Sequence, residues 1–207
     1  MSTGTFVLFF GGYWSSLINI KEWTASAIKQ MPNVMFDGYP YPDGAKADGE
    51  EGVKAFKNPK TNDYAKAIKK IEDSKSDVIY IVGHSSGCAI ANAVDEGLKD
   101  HSKIILVALD GFVPSAAQLA RPSTQVWVAE GDSTGKSLNH DKLLKSINDF
   151  NLKAKPKTLV QVNVYMATNC TKPWSLHFSL VNLSSSDTLV HYVPDGYKNC
   201  EANLIWI

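Results

Sequence analysis

The stretch VIYIVGHSSGCAIANAV, residues 78 to 94, decides how the rest of the chain is read. Val78 to Val82 is an apolar, β-branched run of strand length, and from Cys88 onward apolar residues recur at helical spacing. Gly83-His84-Ser85-Ser86-Gly87 joins the two, so the chain has to bend sharply there. In such a bend the central residue is strained and a Cβ two residues to either side has no room, which explains glycine at 83 and 87. A serine hydroxyl is a weak nucleophile at neutral pH. It needs a neighbouring base, and the oxyanion formed by its attack needs N–H donors already in place. A helix that starts behind Ser85 supplies one, the Ser86 amide, along with the positive end of its dipole. The plainer reading is a glycine-rich turn without chemistry.

Outward from the turn, strands and helices alternate. Thr5 to Phe10, Val34 to Phe36, Val78 to Val82, Lys103 to Leu109, Gln125 to Ala129 and Leu159 to Tyr165 read as strands. Leu17 to Met31, Tyr64 to Glu72, Cys88 to Lys99 and Asp141 to Phe150 read as helices. The strands are apolar throughout, as expected when helices cover both faces of a mostly parallel sheet. Residues 37 to 61 are rich in Gly, Pro and charge, and read as a long surface loop walling the site. Residues 183 to 207 read as extra strands after the main sheet, and the whole chain, 1 to 207, as a single domain.

The chain has 207 residues, 44% apolar and 20% charged, an ordinary globular balance. Lys plus Arg and Asp plus Glu are equal at 21 each, so no basic field points to nucleic acid or anionic lipid. The first residues lack a basic leader and a cleavage site, and no apolar run approaches the roughly 20 residues that span a bilayer. Of Cys88, Cys170 and Cys200, the first falls in a buried helix, which suits a reducing, cytoplasmic compartment; a Cys170 to Cys200 pair stays open.

The strand, GHSSG and helix together resemble the nucleophile elbow of the α/β-hydrolase superfamily. That resemblance implies a three-layer α/β sandwich, here minimal and lidless, because only residues 111 to 124 separate Asp110 from the next strand. It implies a second oxyanion donor after the first strand, where TFVLFFGGYW offers the amide of Tyr13 or of Gly12. It places the base after the last core strand, which selects His177 over His140 and His191. Two aspartates qualify as the acid. Asp110 ends KIILVALDGFVP and resembles the thioesterase-type position; Asp132 ends QVWVAEGD, where most members keep theirs, although the commoner spacing beyond Gly131 falls on Thr134. Asp110 is preferred and Asp132 is the alternative.

The implied activity is hydrolysis of a carboxylic ester or thioester through an acyl-enzyme, with a small acyl substrate as partner and no metal or organic cofactor. A hydrolase-fold protein that binds a ligand or partner without turning it over is the alternative. A third reading rests on EGDSTGKS, residues 130 to 137, which nearly matches a phosphate-cradling loop but has Glu130 at the position of its first glycine. The sequons at Asn169 and Asn182 matter only in a secreted chain.

Overall fold

A computed structural model describes residues 4–132, 135–154, 159–168, 170, 172–185, 188–190 and 204–207. Six strands form one parallel sheet: β1 (Thr5–Phe10), β2 (Val34–Tyr39), β3 (Val78–His84), β4 (Ile104–Leu109), β5 (Gln125–Glu130) and β6 (Val162–Met166), in the order β2-β1-β3-β4-β5-β6. The helices are α1 (Leu17–Gln30), α2 (Gly49–Phe56), α3 (Asp63–Glu72), α4 (Gly87–Glu96), α5 (Ala116–Leu119), α6 (His140–Lys153) and α7 (Pro173–Ser179).

Alternation along β1 explains the three layers. Val7 and Phe9 pack with Ile20, Trp23 and Ala27 of α1 and with Leu176 and Phe178 of α7. Phe6, Leu8 and Phe10 point the other way, into a cluster with Ala67 and Ile71 of α3 and Ile90, Ala91 and Val94 of α4. Both faces are therefore apolar, which is why the strands show no polar alternation. Each such fully buried side chain contributes about 1.5–3 kcal/mol.

Two expectations are corrected. The segment read as a loop contains α2, capped by Asp48, whose carboxylate accepts from the Glu50 and Glu51 amides. Its glycines serve packing: a Cβ on Gly49 would lie 2.8 Å from Ala89 of α4, and one on Gly52 would strike the ring of Tyr41. The closing segment holds one short antiparallel hairpin, β7 (Leu183–Ser185) with β8 (Thr188–Val190), but residues 204 to 207 form a turn that buries Trp206. His191 and Cys200 lie outside the described residues.

The strand order reverses at β1, whose two neighbours β2 and β3 lead in opposite directions across the sheet. Ligands of open α/β sheets bind beyond the strand ends at such a switch point. Phe10 pairs with Gly83 and His84 with Leu109, so Gly12, Ser85 and Asp110 all leave the sheet at this one edge.

Candidate active site

Ser85 has φ 55°, in the left-handed region that costs a residue with a Cβ about 1–2 kcal/mol. The turn holds it there: the Ser85 amide donates to Leu109 O at 3.0 Å, and the Cys88 amide to Ser85 O at 3.1 Å. A Cβ on Gly83 would sit 2.7 Å from the Cys88 amide nitrogen, and one on Gly87 would strike Phe10 O and lie 2.6 Å from Gly11 O. A third glycine belongs to the same knot, because a Cβ on Gly111 would strike Ser85 O. The Ser85 hydroxyl has no hydrogen-bond partner among the described residues. Cys88 is walled in below, its thiol on Gly83 O at 3.1 Å, and burial pushes its pKa up to about 12, so it is no competing nucleophile.

Asp110, at φ 43° and fully buried, follows β4 as Ser85 follows β3. Its Oδ2 meets Nδ1 of His177 in a short contact. Oδ1 accepts from Ser137 Oγ at 2.8 Å and from the Asn139 amide at 3.2 Å, while Asn139 Nδ2 reaches Asp110 O at 2.7 Å. Asp132 is exposed and is not bonded to His177. His177 sits on α7, which Pro173 opens, after the last strand of the sheet. Trp174 and Phe178 flank its ring, and His84 lies against it with centroids 4.3 Å apart. His84 Nε2 donates to His177 O at 2.8 Å, and burial followed by the charge of His177 holds the His84 imidazole well below its usual pKa of 6.5.

The amides of Ser86 and Tyr13 donate to no protein acceptor among the described residues, whereas the Gly11 amide is taken up by Tyr39 O at 3.0 Å. Ser86 is buried at the start of α4. Around this edge the rim is apolar. Tyr13 and Trp14 stand exposed beyond β1, Trp14 itself at φ 70°, and Trp174 stands exposed beside His177. Tyr13, Trp14, Tyr41 and Asp43 line a cavity of about 320 Å³ next to the site.

The phosphate-loop expectation does not survive. Glu130 bridges back to Lys136, the Gly131 amide donates to Gly135 O at 2.9 Å, and the Ser137 amide to Ala129 O at 2.8 Å, so these donors face inward in a turn. Lys136 pairs with Asp141 at 2.9 Å. Sequence reasoning saw the serine of this stretch but missed its use: Ser137 and Asn139 hold the carboxylate of Asp110. It missed His84 as well. His140 is buried, with its two ring nitrogens on Asp141 and Glu130. Asn182 is fully buried, so that sequon cannot be modified in the fold, and Asn169 is outside the described residues.

Among the described residues no group of His, Cys, Asp and Glu could hold a metal ion, and no helix is long and apolar enough to cross a membrane. No family model matches the sequence, and no curated protein matches it. Solved structures do. LpqC of Bordetella parapertussis, named a poly(3-hydroxybutyrate) depolymerase, is similar at TM-score 0.54 and 11% identity, over 87% of this chain and 78% of that one. SOBER1 of Arabidopsis thaliana matches at TM-score 0.47 and 16% identity, over 78% and 88%. A lidless α/β serine hydrolase of Xanthomonas campestris matches at TM-score 0.44 and 12% identity, over 77% and 71%. The chain has the α/β-hydrolase fold, and residues 111 to 124, where a lid would be inserted, hold only the four-residue α5.

Proposed function

We propose that the protein is a serine hydrolase cleaving a carboxylic ester or thioester through an acyl-enzyme. One observation carries this reading: the buried Asp110–His177 pair lies at the same sheet edge as a strained Ser85 whose hydroxyl has no hydrogen-bond partner among the described residues. Ser85 Oγ attacks the acyl carbon while its proton passes to Nε2 of His177. Asp110 holds the Nδ1 proton, which fixes the tautomer and stabilises the imidazolium. The oxyanion forms against the Ser86 amide and that of Tyr13, or of Gly12 as the alternative second donor. His177 then gives its proton to the leaving oxygen or sulfur, and water repeats the sequence to release the acid. The lidless edge and the exposed Tyr13, Trp14 and Trp174 favour a small or partly solvated substrate with an apolar group. Cys170 is disulfide-bonded, which favours an oxidising compartment over the cytoplasm expected from the sequence.

The test is labelling with a fluorophosphonate probe, read by intact mass. The chain should gain one phosphonyl group at Ser85, and Ser85→Ala should gain none. Absence of label on the native chain would end the serine-hydrolase reading and leave a non-catalytic binding role.

A further inference from the structure

α7 has seven residues, too few to be stable alone, yet it carries the proposed base. Its last turn tightens: the Val181 and Asn182 amides both donate to Phe178 O, which leaves the carbonyls of His177, Leu180 and Val181 without backbone donors among the described residues. Three ring N–H groups take them. His84 Nε2 donates to His177 O at 2.8 Å, Trp206 Nε1 to Leu180 O at 2.8 Å, and Trp23 Nε1 to Val181 O at 2.7 Å. All three rings are buried, and they come from the end of β3, from the 204 to 207 turn and from α1. A carbonyl only accepts, so His84 must carry its proton on Nε2.

We propose that His84, Trp206 and Trp23 are positioning residues for His177, three ring donors that cap the helix and set its imidazole against Asp110. This rests on the serine-hydrolase reading only for its use in catalysis. His84 is the residue before Ser85, so the turn that raises the nucleophile also grips the helix of the base, and the two are fixed as one unit. Trp206 gives the closing segment a role: its ring is a strut under α7. Among the described residues, the titratable groups against the His177 ring are Asp110 beyond β4 and His84 at the end of β3; Trp174 and Phe178, on its own helix, carry none.

The test uses the full chain and three variants. His84→Phe keeps a flat ring and removes the donor, His84→Gln keeps an N–H near the Nε2 position, and Trp206→Phe keeps an aromatic ring while removing the indole donor together with part of the buried ring volume. The primary readout is the His177 Nδ1 proton in nitrogen-labelled protein, which needs no turnover. It should be downfield and slow to exchange in the native chain and in His84→Gln, and shifted upfield with faster exchange in the two Phe variants. Ester turnover should follow, with kcat down about 10²-fold in His84→Phe and KM nearly unchanged, as for a displaced catalytic group. An unmoved Nδ1 signal in both Phe variants, with only a lower Tm, would overturn the proposal and leave the donors as plain structural caps. If His84→Phe does not fold, Trp206→Phe decides by the same signal. Fluorophosphonate labelling of the native chain separates failure of this inference from failure of the hydrolase reading.

Discussion

The turn around Ser85 is made by residues next to one another in sequence: the end of β3, two glycines and the first turn of α4. The helix around His177 is held by donors 93, 26 and 158 residues away along the chain. A locally specified feature leaves its mark in a short stretch of sequence: Gly83 answers to Cys88 five positions on, and Gly87, although it answers to Phe10 and Gly11 of the neighbouring strand, stands at the spacing the turn requires. A feature assembled over long range leaves none, because neither Trp23 nor Trp206 has any local reason to be a tryptophan. The same contrast divides the two ends of the proposed proton relay: the nucleophile is rigid through backbone strain, the base through side-chain capping.

The sharpest way to break the comparison is to remove the nucleophile. Ser85→Ala should lower ester kcat on the order of 10⁶-fold, the scale seen when a triad nucleophile is deleted. The fold should survive, because the hydroxyl makes no hydrogen bond among the described residues. Circular dichroism and Tm close to native, with no turnover, are the expected result; residual turnover near native would show that the strained turn is only a turn.

Next in size is the acid. Asp110→Asn keeps the shape but presents the wrong hydrogen-bonding group to Nδ1, and kcat should fall about 10⁴-fold. Asp132→Asn, at an exposed position, should stay within about threefold, since surface changes away from such features have small effects. Reversal of that order, measured on one p-nitrophenyl ester, would return the acid to the strand after β4.

How much of this was legible follows from the kind of constraint involved. The strands are readable because most are built on an apolar run, although Asp37 interrupts β2 and Asn163 interrupts β6, and Ser85 because two glycines flank it at fixed spacing. Order along the chain selected His177, yet α7 itself went unread: Pro173 marks its start, but a helix of seven residues is too short for periodicity to speak. α2 was misread for the opposite reason. Gly49 and Gly52, loop signals by composition, are there so that α2 can lie close to Ala89 and Tyr41. Ser137 hid inside a phosphate-loop look-alike, and only the fold shows its hydroxyl on Asp110.

Ser137 sharpens the contrast from the acid's side. Its hydroxyl donates to Asp110 Oδ1 at 2.8 Å while accepting the Ala129 amide at 3.1 Å, which ties the carboxylate to β5. Hydrogen bonds to charged groups contribute about 1.5–3 kcal/mol, but the Asn139 amide still serves the same oxygen, so Ser137→Ala should cost roughly tenfold in kcat. Ser137→Thr, which keeps the hydroxyl, should recover most of it. Equal losses in the two variants would mean that packing, and not the bond, is what Ser137 provides.

The smallest effect concerns His84 and is read in stability. Burial, with the neighbouring His177 adding to it, depresses the folded-state pKa of His84 well below 6.5, while the unfolded chain titrates near the ordinary value. Above about pH 6.5 the imidazole is neutral in both states and the stability is fully present. As pH falls below that, the unfolded chain takes up a proton that the folded chain refuses, so stability drops until the folded pKa is reached. The slope for one proton is about 1.4 kcal/mol per pH unit. His84→Gln keeps an N–H for the His177 carbonyl and carries no titrating group, so its urea-unfolding free energy should lose that one-proton component below pH 6.5. Parallel pH profiles for the native chain and His84→Gln would mean that His84 is protonated in the fold. It would then stand as a cation against His177, and the turn and the base would repel each other instead of forming one unit.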